Sequence, residues 1–339
     1  MSKNNCFIIA ELSANHGGKL EIAKETVRAA KRAGADAIKL QTYTADTITL
    51  DVKTEHFKIS QGTSWDGQYL HDLYKGASLP WEWHKPIFEL AKEEGLVCFS
   101  SPFDFTAVDF LEELDCPVYK IASFEITDIP LIEYVASKGK PVIISTGIAE
   151  EIDIELAIAA CKKQGNEDIT ILKCTSAYPA DPKDANLSMI EDIKSRFGVK
   201  SGLSDHTLGI EAPMIAVAMG ATVIEKHFIL DKSIGGADAH FSLDEKDFKS
   251  MVDAVRLTED MMGKVDYSMT DKKKKSREFS RSLFISEDVK AGDVLTEKNV
   301  RSVRPGFGIH PKFLKDVLGK FVNRDIDKGT PVSLDYITK

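Results

Sequence analysis

Short apolar runs alternate with amphipathic stretches through most of the chain before residue 262. Eight of these runs have the length and composition of buried parallel strands, and a stretch with helical periodicity follows each one. The predicted strands are residues 7–12, 37–42, 97–101, 118–123, 142–146, 169–175, 200–205 and 223–228. Because eight strands alternate with helices, we predict the α/β class and a (β/α)₈ TIM barrel rather than an open doubly wound sheet.

One connection is much longer than the others. Residues 43–80 separate the second predicted strand from the next helix, and all three tryptophans, Trp65, Trp81 and Trp83, lie in or beside this insertion. An insertion after a barrel strand lies on the face that carries active sites. Two interpretations stay open: a lid or substrate-shaping loop, and a hydrophobic plug packed against the barrel rim.

The composition changes after residue 262. Residues 263–279 are polar and include a run of four lysines, 272–275, which is typical of a solvated linker. Two similar phrases follow, DVKAGDVL at 288–295 and DIDKGTPV at 325–332. We therefore predict a catalytic barrel at 1–262, a linker at 263–279 and a small β-rich domain with pseudo-repeated halves at 280–339.

Composition narrows the class of protein. A net charge of −9 argues against a nucleic-acid partner, although lysines can still gather at one anionic site. The chain has no apolar run long enough for a transmembrane helix, so no membrane partner is expected. The five cysteines are mostly embedded in apolar segments without C-x-x-C pairs, which predicts reduced core residues and a cytoplasmic location.

Polar side chains gather at the carboxyl ends of the predicted strands. An unpaired buried polar group costs about 1–3 kcal/mol, so this many at one face predict a catalytic mouth. The candidates are Glu11, Lys39, Gln41, Ser101, Lys120, Ser123, Glu125, Ser145, Tyr178, Ser204, His206 and His227. Among them, two lysines and four serines suit the phosphate and carboxylate oxygens of an anionic substrate: Lys39, Lys120, Ser101, Ser123, Ser145 and Ser204.

Two histidines, His206 and His227, end adjacent predicted strands and suit one divalent ion with open positions, such as Mn²⁺, Mg²⁺ or Co²⁺. The neighbouring acids Asp205 and Glu225 are expected to orient the two rings. The remaining histidines without such a context are expected on the surface or in loops: His56, His71, His84 and His310.

Ordered motifs carry a resemblance to a known family. IAELSANHGG, AIKLQTY, FSSPFD, YKIASFE, ISTG, LKCTSAYP, GLSDHT and IEKHF resemble, in this order, the sialic acid synthase family of phosphoenolpyruvate-condensing enzymes. The phrases RSL and VRPGFGIHP resemble that family's C-terminal antifreeze-like (SAF) domain, a β-clip. The resemblance covers essentially the whole chain. LSANH, PWEWH, FSSPF and the serine of CTSAYP are most similar to the branch that makes pseudaminic acid.

This resemblance implies an activity and a set of roles. Phosphoenolpyruvate, a diacetamido-trideoxy hexose and water would give a nine-carbon 2-keto acid and phosphate by metal-assisted attack of carbon 3 on the open-chain aldehyde. It implies His206 and His227 as metal ligands, Glu11 as base and Glu125 as a second catalytic carboxyl group. The six residues of the predicted anion site would bind phosphoenolpyruvate. Gln41, Tyr178, Asp238 and Arg304 would face the sugar, and Arg304 would come from the partner subunit of a domain-swapped homodimer.

Three alternatives remain. A sister synthase that makes N-acetylneuraminic or legionaminic acid differs only in its sugar. Another barrel that condenses phosphoenolpyruvate with an aldose is disfavoured by the antifreeze-like tail. An inactive carbohydrate-binding protein is disfavoured by the retention of Glu11, both histidines and both lysines.

Overall fold

The computed structural model describes residues 5–60, 62 and 65–338, and the chain folds as two compact units. The first unit ends at Gly263 and the second begins at Lys264. No helix in the described ranges is long and apolar enough to cross a membrane. All five cysteines are buried and unpaired, which confirms the prediction of thiols in the core.

The first unit is a closed barrel of eight parallel strands in sequential order. The strands are β1 Phe7–Glu11, β2 Ala37–Thr42, β3 Val97–Pro102, β4 Tyr119–Ile121, β5 Val142–Ser145, β6 Ile169–Cys174, β7 Lys200–Asp205 and β8 Val223–His227. The pairing of β1 with β8 closes the barrel and sets Glu11 opposite His227. The predicted (β/α)₈ barrel is confirmed.

Helices surround the strands because their apolar faces pack on the barrel. They are α1 Leu20–Arg32, α2 Ala45–Ile48, α3 Leu70–Ala77, α4 Trp81–Glu93, α5 Phe105–Glu113, α6 Ile129–Ala136, α7 Glu151–Lys163, α8 Met189–Phe197, α9 Glu211–Ala218 and α10 Glu245–Met262. Gly34 follows α1 at φ +89°, and a Cβ there would lie 3.1 Å from Val252 of α10. Glycine therefore lets the chain turn tightly into β2 beside α10.

The long insertion holds α2, α3 and a 3₁₀ turn at Glu55–Phe57. The Trp81 ring stacks on Phe110 with centroids 4.6 Å apart, as a plug would. Trp65 instead lies 6.0 Å from the ring of Tyr178, at the barrel mouth. The two rings thus lie in different places, and the role of the insertion stays a prediction.

Two histidines of this region were wrongly expected on the surface or in loops. His84 is fully buried on α4, with Nε2 2.8 Å from the hydroxyl of Thr42. His71 is buried on α3 and hydrogen-bonds Asp46 at 3.0 Å. Their polar atoms find partners inside the fold, which makes burial tolerable.

The second unit begins with a short helix, α11 Asp271–Arg277, where the lysine run had suggested a linker. It then forms α12 Leu314–Val317 and two antiparallel pairs, β9 Ser282–Ile285 with β10 Val300–Val303 and β11 Phe321–Val322 with β12 Ile337–Thr338. The two similar phrases face each other, because Val289 and Ile326 exchange backbone hydrogen bonds of 3.0 and 2.9 Å. The small β-rich architecture thus joins the two halves of the pseudo-repeat.

Candidate active site

A buried network of charges lies at the carboxyl ends of β1, β2 and β8. The ammonium of Lys39 is 2.9 Å from Glu11 Oε2 and 3.1 Å from Glu225 Oε2. All three side chains are almost fully buried. Burial alone would raise the pKa of Glu11, but the charges of Lys39 and His227 hold that pKa well below its usual range. Glu11 is therefore a carboxylate at neutral pH.

A second buried lysine sits beside the serines that were predicted to bind an anion. Lys120 donates a 2.6 Å hydrogen bond to Ser145 Oγ and lies 3.8 Å from Glu225. Burial lowers the pKa of Lys120. Ser204 donates a 2.8 Å hydrogen bond to Glu225, whereas Ser101 Oγ is buried with no hydrogen-bond partner. An incoming oxyanion would satisfy such a donor.

Ser123, the fourth predicted serine, contacts a backbone N–H group at the end of β5. Gly147, which follows β5, donates its N–H to Ser123 Oγ at 3.1 Å. A Cβ at Gly147 would lie 2.0 Å from Ser176 Oγ and 2.8 Å from Ser123 Oγ. Only glycine fits there without displacing both hydroxyls. Contacts through Glu225 and Lys120 thus join the two lysines with Ser145 and Ser204. Ser101 and Ser123 are buried at the ends of the neighbouring strands β3 and β4.

Glu225 was expected to orient His227, and that expectation is wrong. Its carboxylate faces Lys39, Lys120 and Ser204 instead. Side chains two residues apart on a strand point to the same face, so Glu225 shares the inner face of β8 with His227. This alternation could have indicated from the sequence that Glu225 faces the site. Glu225 is therefore a member of the anion site that sequence reasoning missed.

The two predicted metal ligands lie side by side, with ring centroids 5.2 Å apart. His206 Nδ1 is 2.9 Å from the carbonyl of Thr175, so Nδ1 carries the proton and Nε2 keeps its lone pair. His227 Nδ1 is buried without a hydrogen bond, 3.7 Å from Asp238, and Nε2 is 3.6 Å from Glu11.

These donors fit a divalent ion that keeps open positions. Two imidazoles with unshared lone pairs and two carboxylates close to His227 are a donor set that such ions accept. Within the described ranges, no group of three or more histidine, cysteine or acidic side chains is already arranged to hold a metal. Two histidine ligands leave coordination positions open, which suits an ion that also binds water or substrate rather than a closed structural site.

Asp205 was expected to orient His206, and this is also wrong. Its side chain points to the outer side of β7, where it accepts hydrogen bonds from Lys226 and from the N–H and hydroxyl of Thr207 at 2.9 and 2.8 Å. Lys226 also donates to the carbonyl of Thr207 at 2.6 Å. This ion pair joins β7 and β8 one residue before each histidine.

Three of the four residues predicted to face the sugar surround the histidine pair. Gln41 donates to Glu11 at 3.1 Å, and the Tyr178 ring lies 4.5 Å from that of His206. Asp238 accepts a 2.5 Å hydrogen bond from Ser13, which the sequence did not single out. Arg304 belongs to the second unit, where it is exposed just after β10. Its reach into a partner's site stays a prediction.

Glu125 ends a 3₁₀ turn, Ser123–Glu125, after β4. Its Oε2 is buried with no hydrogen bond, and burial raises the pKa of Glu125 to about 7 although Lys120 opposes the shift. The two predicted catalytic carboxyl groups thus differ: Glu11 is ionised, whereas Glu125 is half protonated near neutral pH. Such a separation is how one site holds both an acid and a base.

Comparison with known proteins agrees with this geometry. The sequence profile of the NeuB family matches residues 26–267, and that of the SAF domain matches residues 280–337. The chain belongs to the NeuB family. It is 51% identical over 323 residues to a pseudaminic acid synthase of Campylobacter jejuni, covering 95% of this chain and 94% of that protein.

Other relatives also match over most of the chain. The chain is 48% identical to a pseudaminic acid synthase of Helicobacter pylori, over 98% of both chains. It is 36% identical to an N,N'-diacetyllegionaminic acid synthase of Legionella pneumophila, over 99% of this chain and 96% of the other. The crystal structure of an N-acetylneuraminic acid synthetase from Leptospira borgpetersenii matches with a TM-score of 0.71 and 33% identity, covering 80% of this chain and 90% of that one.

Proposed function

We propose that this protein is a pseudaminic acid synthase, which condenses phosphoenolpyruvate with 2,4-diacetamido-2,4,6-trideoxy-L-altropyranose and water. The observation that carries the proposal is a buried anion site with two lysines beside a histidine pair and two carboxyl groups of different pKa. Identities of 51% and 48% to synthases of that name favour this sugar over that of the legionaminic branch, at 36%.

The reaction must form one carbon–carbon bond and break one carbon–oxygen bond. Carbon 3 of phosphoenolpyruvate attacks the aldehyde carbon of the opened hexose, water adds at carbon 2, and the bond from carbon 2 to the phosphate oxygen breaks. The products are a nine-carbon 2-keto acid and inorganic phosphate, with no change in the overall oxidation state.

Lys39, Lys120 and the serines would hold the phosphate and carboxylate of phosphoenolpyruvate. Two buried ammonium groups compensate the charge of the leaving phosphate, which stabilises the transition state for its departure. Glu225 is well placed to keep both lysines protonated and ordered before the anion arrives, since it lies 3.1 and 3.8 Å from them.

His206 and His227 would hold a divalent ion, Mn²⁺, Mg²⁺ or Co²⁺, as the family is generally metal-dependent. Such an ion acts as a Lewis acid that polarises a carbonyl group. Glu11, as a carboxylate 3.6 Å from His227, is suited to accept the proton of the water that adds at carbon 2. Glu125, partly protonated near pH 7, is suited to donate a proton to the aldehyde oxygen as carbon 1 is attacked.

We further propose that the enzyme works in the cytoplasm as a domain-swapped homodimer, with Arg304 reaching the sugar of the partner's barrel. The exposure of Arg304 after β10 leaves its guanidinium available for such a contact. The sugar-binding set would then be Gln41, Tyr178, Asp238 and Arg304.

Phosphate release tests the proposed function. The protein is incubated with phosphoenolpyruvate, Mn²⁺ and one sugar at a time: the diacetamido-L-altrose, a D-configured diacetamido sugar, or N-acetylmannosamine. We expect turnover chiefly with the altrose sugar. Preferential turnover of another sugar would assign the chain to a sister activity, and no turnover with any of them would contradict a synthase.

A further inference from the structure

A cavity of about 340 Å³ opens at the barrel mouth between the insertion and the loops that follow β1 and β8. Ala14 and Gly17 line it from the first loop, Ala237 from the second, and Trp65, Gln68 and Ala77 from the insertion. A water occupies about 30 Å³ of liquid, so the space is large enough for a substituent of a substrate.

The cavity adjoins the predicted sugar site. Trp65 is 6.0 Å from the ring of Tyr178, which in turn lies 4.5 Å from that of His206. Ala237 directly precedes Asp238, whose carboxylate is 3.5 Å from the backbone N–H of Ala14. A sugar with its aldehyde at the histidine pair would therefore direct its far end toward this space.

Contacts within the protein hold the walls apart. The buried His16 donates from Nε2 to the carbonyl of Ala77 at 3.3 Å and accepts from the N–H of Gly18 at Nδ1, 3.2 Å away. Gly17 adopts φ +55°, and a Cβ there would lie 2.8 Å from Ile234. The shape of the cavity is thus fixed by residues that need no ligand, as expected of a preformed subsite.

The lining indicates the chemistry of the occupant. No lysine or arginine lines the cavity among the described residues, and the acidic Asp72 is paired with Lys53, so an anionic group is disfavoured. Trp65 and Leu73 offer apolar surface, and the exposed amide of Gln68 can both donate and accept a hydrogen bond. An acetamido group has a methyl group, one N–H and one carbonyl, which match these three features.

We propose that the cavity binds the carbon-4 acetamido group of the hexose and so sets the preference for a diacetamido sugar. This inference rests on the proposed function. The carbon-2 substituent is adjacent to the reacting aldehyde and stays beside Glu11 and the histidines. The carbon-4 substituent lies farther along the chain, on the side of Tyr178 and Asp238. Carbon 6 of this deoxy sugar is itself a methyl group, which has no donor or acceptor and would leave the Gln68 amide without a partner.

The experiment compares kcat/KM for the diacetamido-L-altrose and for the same sugar with a hydroxyl group at carbon 4. Ala77→Leu fills the cavity and Gln68→Ala removes the exposed amide without altering the core. Ala159→Leu, on the exposed side of α7, is the matched control for the added volume. We expect the wild type to prefer the acetamido sugar, and Ala77→Leu to reduce that preference about tenfold or more, as a pocket contact of this size can. We expect Gln68→Ala to reduce the same preference for the acetamido sugar, by a smaller factor.

The possible outcomes separate failure of the carbon-4 subsite from failure of the proposed function. An equal loss for both sugars in Ala77→Leu, or a preference unchanged in both variants while the wild type uses the altrose sugar, would overturn the subsite and leave the proposed function standing. No turnover of the altrose sugar by the wild type would overturn the proposed function itself. A series with a hydroxyl group at carbon 6 should respond to Ala77→Leu like the parent sugar; a selective loss there would assign the cavity to carbon 6 instead.

Discussion

Asp205 and Lys226 form a buried ion pair on the outer side of the barrel, between β7 and β8. The two residues are register partners, and each immediately precedes one histidine of the candidate metal site. Thr207 binds both members of the pair, so the charges are also satisfied by hydrogen bonds. The pair fixes the ends of the two strands and thereby the separation of His206 and His227.

Lys226→Met should therefore weaken metal binding as well as stability. Removing one partner of a buried pair typically costs about 3–5 kcal/mol, because the other charge is left unpaired. We expect Mn²⁺ affinity, measured by titration without substrates, to fall about tenfold. The double variant Asp205→Asn, Lys226→Met removes both charges and should recover stability more than affinity.

The control is a partly exposed pair at the opposite end of the barrel, where Arg256 donates to Asp36 at 2.8 Å. Arg256→Met should lower the melting temperature while Mn²⁺ affinity stays unchanged. Equal effects of the two substitutions on Mn²⁺ affinity would mean that the Lys226 pair contributes only to stability.

His206→Ala and His227→Ala should each abolish Mn²⁺ binding and metal-dependent turnover while the far-ultraviolet circular dichroism stays native. The two imidazoles would supply the nitrogen donors in the proposed site, and the barrel is closed by the pairing of β1 with β8 rather than by these side chains. His56→Ala, in the exposed 3₁₀ turn, is the control. Full activity with unchanged Mn²⁺ affinity in either variant would remove the metal assignment.

Glu125 makes stability depend on pH in a defined direction. Its pKa is about 7 when folded, against 4.5 for the ordinary side chain, so the folded state binds the extra proton. The group therefore stabilises the fold below about pH 4.5, and this contribution is lost as the pH rises to 7, by about 1.4 kcal/mol per pH unit at most. Glu125→Gln should remove this slope in urea unfolding across that window. An identical slope in wild type and variant would contradict the raised pKa.

The predicted homodimer can be tested by mixing two impaired variants. Glu11→Gln should bind phosphoenolpyruvate but lose about 10²–10⁴-fold in turnover, the usual contribution of a general base. Arg304→Ala should raise the KM for the sugar. If Arg304 serves the partner's barrel, heterodimers contain one site with both residues intact and recover part of the activity. No recovery in verified heterodimers would contradict the swapped arrangement.

The ends of the barrel strands could be predicted to within two residues because each buried strand is a short apolar run with polar ends. The fourth was predicted too long, since the chain enters a 3₁₀ turn at Ser123 instead of continuing β4. The anion site and histidine pair followed from the same rule, because parallel strands bring their carboxyl ends to one face.

Residues with outward or long-range contacts were harder to predict. Adjacency in sequence suggested that Asp205 would orient His206, yet a strand sends neighbouring side chains to opposite faces. Glu225 shares a face with His227, but its carboxylate pairs with Lys39 and Lys120 on other strands. His84 is buried because Thr42 and the carbonyl of Pro80 accommodate its ring nitrogens, and neither partner is evident from the pattern around His84. Such partners depend on tertiary packing rather than on local periodicity.

The proposed reaction joins phosphoenolpyruvate to the diacetamido-L-altrose and cleaves the bond between carbon 2 and the phosphate oxygen. Phosphoenolpyruvate labelled with ¹⁸O in the bridge between carbon 2 and phosphorus tests it most directly, with mass spectrometry of both products. We predict a nine-carbon keto acid of the expected mass and the label in the released phosphate. Label retained by the keto acid, or no such acid from the altrose sugar, would contradict it.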